Sequence, residues 1–124
     1  MKSSILLFQI PKPQSIKIIK NLLPLKIKIR QIRPEEYHLP VGALAGVSNT
    51  KPSESISHDQ NLSDPMIVFS GLTNAQLDYA LSAIRRSDAG FIPYKAVLTM
   101  ANQNWNAFEL LEELKKEHKK MNPS

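Results

Sequence analysis

Acid-base and nucleophilic chemistry both need a titrating side chain within hydrogen-bond reach of a second group. The 124-residue chain offers few candidates. It contains no cysteine, which removes thiol nucleophiles, disulfides and thiolate metal sites from consideration. Its three histidines stand apart: His38 lies beside prolines in a turn, His58 sits in a polar run, and His118 shares the apolar stripe of the last helical segment. None has an evident partner, so no catalytic residue is assigned and the chain is expected not to be an enzyme. Glu109, Glu113 and Glu117 fall on one helical face, but Lys115, Lys116, Lys119 and Lys120 interleave with them. That spacing suits solvated ion pairs rather than a ligand set, and neither a metal nor any cofactor is expected.

The dense string from Lys95 to Trp105 holds the candidate ligand or partner loop: Lys95, Thr99, Asn102 and Trp105. Lys95 offers charge, Thr99, Asn102 and Asn104 offer hydroxyl and amide donors, and Trp105 is expected to be mostly structural. A second candidate is the basic row Lys26, Lys28 and Arg30. It would supply phosphate contacts to a nucleic acid, or guard an edge strand against aggregation. Between Met1 and Arg33 every charged side chain is Lys or Arg, whereas acids gather after Asp59 and on the last helix. Such asymmetry raises the prior for an anionic partner.

These residues must be positioned by elements that the hydrophobic pattern marks out. Ser4 to Ile10 is β-prone and closed by Pro11 and Pro13; its charged approach and short apolar run read as a first strand rather than a signal or a membrane span. Ile16, Ile19, Leu22 and Leu23 recur at helical spacing, and Leu25, Ile27 and Ile29 then alternate with Lys26, Lys28 and Arg30 as in a half-buried strand. Met66 to Ser70 begins a second, similar series: Ile5-Leu6-Leu7-Phe8 is echoed by Met66-Ile67-Val68-Phe69. Thr73 and Gln76 form a capping-box signature, Leu77, Ala80, Leu81 and Ile84 a buried stripe, and Tyr94 to Met100 a strand. Asn106 and Glu109 repeat the cap signature before a last helix whose stripe is Leu111, Leu114, His118 and Met121.

The order is β-α-β, linker, β-α-β, α. It predicts one α/β (α+β) domain over 1–124 of ferredoxin-like type, β-α-β-β-α-β with an additional C-terminal helix. Within it lie a first half with an apolar segment at 1–46, a flexible linker at 47–65, and a second half with the last helix at 66–124. Another strand order, or exchange of halves between protomers, stays open.

Three segments carry a family resemblance: the strand opening at Ile5, the stretch Pro40-Val-Gly-Ala-Leu-Ala-Gly46, and Lys95-Ala-Val-Leu-Thr99 with Asn102, Trp105 and Glu112 to His118. Together they resemble a family of small bacterial proteins known as domain of unknown function 3783. The resemblance implies no activity, cofactor or site residue. The expected function is that of a cytoplasmic, non-enzymatic binding or regulatory module engaging a protein partner. The alternatives are a small anionic ligand at converging helix N-termini, or nucleic acid bound by the basic first half.

Overall fold

The computed structural model describes residues 3–51, 61–90 and 92–121, the side chain of Met121 excepted. Its elements are β1 (Ser4–Phe8), α1 (Lys12–Leu22), β2 (Lys28–Ile32), α2 (Val41–Leu44), β3 (Met66–Ser70), α3 (Asn74–Arg86), β4 (Tyr94–Val97) and α4 (Ala107–Met121). They form a mixed α/β fold around a four-stranded sheet of order β2-β1-β3-β4.

Burial explains which strands lie at the centre. Every residue of β1 and of β3 is buried, as unbroken apolar runs require of strands covered on both faces. The alternating β2 lies at one margin and the short β4 at the other. Ile5, Leu7, Ile67 and Phe69 face α1 and α3, packing on Ile18, Leu22, Ala80 and Ile84. Leu6, Phe8, Met66 and Val68 face α2 and α4, packing on Val41, Leu44, Leu110 and Leu111. Helices thus cover both faces of the sheet.

The ferredoxin-like order expected from the element sequence is not the one found. There each βαβ unit is split by a strand from the other half. Here β1 pairs parallel with β2, β3 pairs parallel with β4, and the two units join through an antiparallel β1/β3 contact. The register gives this contact an internal two-fold. Ser4 lies opposite Ser70 and Phe8 opposite Met66, so exchanging the halves carries Ser4 onto Met66. By the flanking pairs, Lys28 then corresponds to Tyr94. Counting on from there, Arg33 corresponds to Thr99, Glu36 to Asn102 and Val41 to Ala107.

Local chemistry sets the ends of the elements. Lys26 adopts a left-handed conformation at the exit of a 3-10 turn (Leu23–Leu25), which delays β2 to Lys28. The capping boxes Thr73/Gln76 and Asn106/Glu109 both form. The linker expected over 47–65 is only partly within the described residues, since residues 52–60 lie outside them. Its described parts are held: Val47 donates to the Gly42 carbonyl at 2.8 Å, Lys51 donates to Asn104 Oδ1 at 2.8 Å, and buried Leu62 is clamped by Gln9. The apolar segment Pro40 to Gly46 is largely core, with Val41 and Leu44 buried in α2.

Candidate functional site

Thr99 and Asn102 are committed to a turn. The Thr99 amide donates to Asn102 Oδ1 at 2.8 Å, the Asn102 amide to Thr99 Oγ1 at 3.2 Å, and Asn102 Nδ2 to the Val97 carbonyl at 3.1 Å. The counterpart turn after β2 shares one of these bonds, the Arg33 amide donating to Glu36 Oε1 at 3.3 Å, while the Glu36 amide donates to the Arg33 main-chain carbonyl at 2.9 Å. A turn closed at equivalent positions in both halves is accounted for by the fold. Trp105 packs on the α4 face of the core, and its carbonyl accepts the Val41 amide at 2.8 Å. Lys95 lies on the other face, beside Ile67 in register. The structure therefore does not bring Lys95, Thr99, Asn102 and Trp105 to one point.

The two helix N-termini expected to converge are also separated. β3 and β4 do run parallel, as that expectation required. However, α3 packs on the Ile67 face whereas α4 packs on the Val68 face. The first amide of α4, from Ala107, donates to the Tyr37 carbonyl at 3.1 Å, and Glu109 already places a carboxylate in that first turn. An incoming anion would meet both.

The basic row divides as well. Lys28 is exposed at the margin of β2, Lys26 precedes the strand, and Arg30 is tied down. Arg30 Nη2 pairs with Glu36 Oε2 at 2.7 Å, and Nη1 donates to the Leu44 carbonyl at 2.9 Å, anchoring both the turn after β2 and the end of α2. Burial pushes the Glu36 carboxyl upward, but hydrogen bonds from the Arg33 amide and Arg30, with their positive charges, outweigh it and hold the pKa below its ordinary value. A carboxylate with a depressed folded pKa contributes stability above the unfolded value of about 4.3, and loses it as pH falls through the folded one. The stability gap between wild type and Glu36→Gln is therefore expected to be open at pH 7, at about 1 kcal/mol or less given the partial exposure of the pair, and to close in acid. Urea midpoints measured from pH 7 down to pH 2 check this, and a gap independent of pH would refute it.

Both sheet faces being covered, neither presents stacking aromatics for nucleic acid. His38 lies 5.0 Å from the Phe108 ring, and His118 5.0 Å from the Tyr94 ring, both aromatic neighbours rather than acid-base partners. His58 lies outside the described residues. Among the described residues no cluster of three or more His, Asp or Glu could hold a metal ion. No helix of the described chain is long and apolar enough to cross a membrane.

The feature that sequence reading missed is a groove of about 670 Å³ between α3 and β4. Leu81, Ile84 and Ile92 give it apolar walls, Arg85 and Lys95 give it positive charge, and Asp78 and Asp88 line it as well. Burial, and secondarily the positive charge of Arg85, lower the Lys95 pKa. Half-exposed Val97, on the same face of β4 as Lys95, extends the apolar surface. Lys95 was legible as a candidate. Its companion Arg85, in the last turn of α3, carries no such signal, because the two come together only between separate elements.

Residues 65–121 match a family described as Domain of unknown function (DUF3783). The match spans β3 through α4, one of the two related halves, and contains the Lys95 to His118 segment of the resemblance; Ile5 and Pro40 to Gly46 lie outside it. No curated protein and no solved structure matches the chain.

Proposed function

We propose, from a second half similar to a family that carries no assigned activity, that this chain is a cytoplasmic, non-enzymatic binding domain for a protein partner. The partner contributes an extended acidic segment that lies along β4 and into the α3/β4 groove. The observation that carries this reading is the placement of Arg85 and Lys95 in an apolar groove beside a sheet margin. Among the described residues β4 has β3 as its only neighbouring strand in the sheet, so a peptide can add there by main-chain pairing while its alternate side chains enter the groove. A carboxylate placed near Lys95 and Arg85 relieves their mutual repulsion, and charge-assisted hydrogen bonds of this kind contribute about 1.5–3 kcal/mol. The absence of cysteine fits a reducing compartment.

The test uses the full chain and a fluorescent peptide alternating Glu and Val. Anisotropy is expected to show saturable, salt-sensitive binding, weakened at least about tenfold by the double charge reversal Lys95→Glu, Arg85→Glu, because each 1.4 kcal/mol is worth a factor of ten. The paired Lys26→Gln, Lys28→Gln variant is expected to bind as wild type does. Binding that follows the β2 lysines instead, or no saturable binding at all, would remove this reading.

A further inference from the structure

We propose that a second cleft, between the N-terminal ends of β1 and β2 and the end of α2, binds a small organic anion. The ligand class is a carboxylate or phosphate on a short aliphatic body. The cleft measures about 630 Å³ and is lined by Ser4, Lys28, Arg30, Leu44, Ala45 and Gly46, among others, with no acidic side chain among its lining residues. That size lies within the range of small-molecule sites.

The cleft exists because the two halves differ in one place. In the second half α4 runs for 15 residues, and its last turns cover the start of β4, with His118 against Tyr94 at 5.0 Å. In the first half the counterpart helix α2 has only four residues. The position equivalent to Tyr94 is Lys28, which is left exposed. What a helix fills in one half is left open by the described residues in the other, and a cation stands where the aromatic ring would be.

A second observation points to a ligand. Ser4 is 5% exposed, and its Oγ is the one buried side-chain polar atom among the described residues without a hydrogen-bond partner. By strand alternation its side chain shares a face with Leu6 and Phe8, the face on which Leu44 and Ala45 pack, and Ser4 lines the cleft. Buried hydroxyls find partners as a rule, and a ligand oxygen would supply the missing acceptor. Arg30 forms a fixed wall, its charge committed to Glu36. Lys28 makes no ion pair among the described residues and supplies the uncompensated charge. Leu44 and Ala45 receive the aliphatic body. The cleft lies on the opposite face and margin of the sheet from the α3/β4 groove, so it stands or falls independently of the partner reading.

The test is an amide chemical-shift titration of the full chain at constant ionic strength with butyrate, monobutyl phosphate and, as a cationic control, butylammonium. Saturable shifts are expected at Ser4, Lys28, Ala45 and Gly46 with butyrate or monobutyl phosphate and not with butylammonium; the tighter of the two anions identifies the head group. Lys28→Gln should weaken that binding about tenfold, the scale of a lost charge-assisted contact. Ser4→Ala should weaken it while melting no lower than wild type, because the deleted hydroxyl has no partner to lose. No saturable shift with either anion, an equal response to butylammonium, or affinity unchanged in both variants would overturn the proposal.

Discussion

Phe8→Ala is expected to lower the unfolding free energy by about 3–5 kcal/mol, the range for emptying a fully buried aromatic site. Phe8 is 0% exposed at the end of a central strand, where it packs in the core formed by Ile32, Met66 and Leu110 and lies 6.0 Å from the Tyr37 ring. Those neighbours come from both halves, so little local collapse can refill the space. Domains of this kind have about 5–15 kcal/mol in total, which makes the loss a large fraction of the whole. Ile16 provides the contrast. It is 55% exposed on α1, and Ile16→Ala should change stability by no more than about 0.5 kcal/mol. Urea midpoints of the two variants that moved equally would show that Phe8 is not where the structure puts it.

Gly42→Ala is expected to destabilise by about 1–3 kcal/mol or more, although intrinsic helix preference predicts the reverse sign. In α2 the backbone of Gly42 is helical, and alanine there would gain about 0.5–1 kcal/mol over glycine from propensity alone. The tertiary contact opposes this. A Cβ at position 42 would sit 2.8 Å from the Gln103 carbonyl oxygen, 2.9 Å from Gln103 Cβ and 2.9 Å from Thr50 Cγ2. The Gly42 amide donates to that same carbonyl at 2.8 Å, so relief by separation would also stretch a hydrogen bond. Two of the three obstructing atoms are anchored to the backbone and cannot rotate away, and the clash outweighs propensity. Trp105, whose carbonyl holds the neighbouring Val41 amide, is the chain's only tryptophan and reports the displacement by fluorescence. A more stable Gly42→Ala variant would show that α2 does not dock against the turn after β4.

Much of the local structure was legible in the residues. Met66 to Ser70 was read with its observed bounds, both capping boxes form as their signatures indicate, and the alternation after Leu25 places Ile27 and Ile29 on one face and Lys28 and Arg30 on the other. The echo of Ile5 to Phe8 in Met66 to Phe69 was a true sign of repetition, displaced by one residue from the two-fold that the register defines. The candidate loop was only partly legible. Thr99 and Asn102 look like exposed donors in a list of residues, but they bond to each other and to the backbone. Nothing in their spacing separates a closed turn from an open site. Arg85 next to Lys95, and Ser4 next to Lys28, are neighbours only across elements.

The sequence by itself determined the order of the four strands with α1, α3 and α4, the caps, the cysteine-free composition, and which strands lie at the centre, because unbroken apolar runs must be covered on both faces; α2 was not legible in it. Tertiary structure alone decided which marginal strand flanks which central one. A ferredoxin-like sheet and this one both place β1 and β3 inside, and burial favours neither over the other. The choice rests on how α1 and α3 carry each chain segment to the adjacent parallel strand, and on α2 and α4 closing the second face. The unequal lengths of α2 and α4 then decide where that face stays open, and so where a ligand can enter.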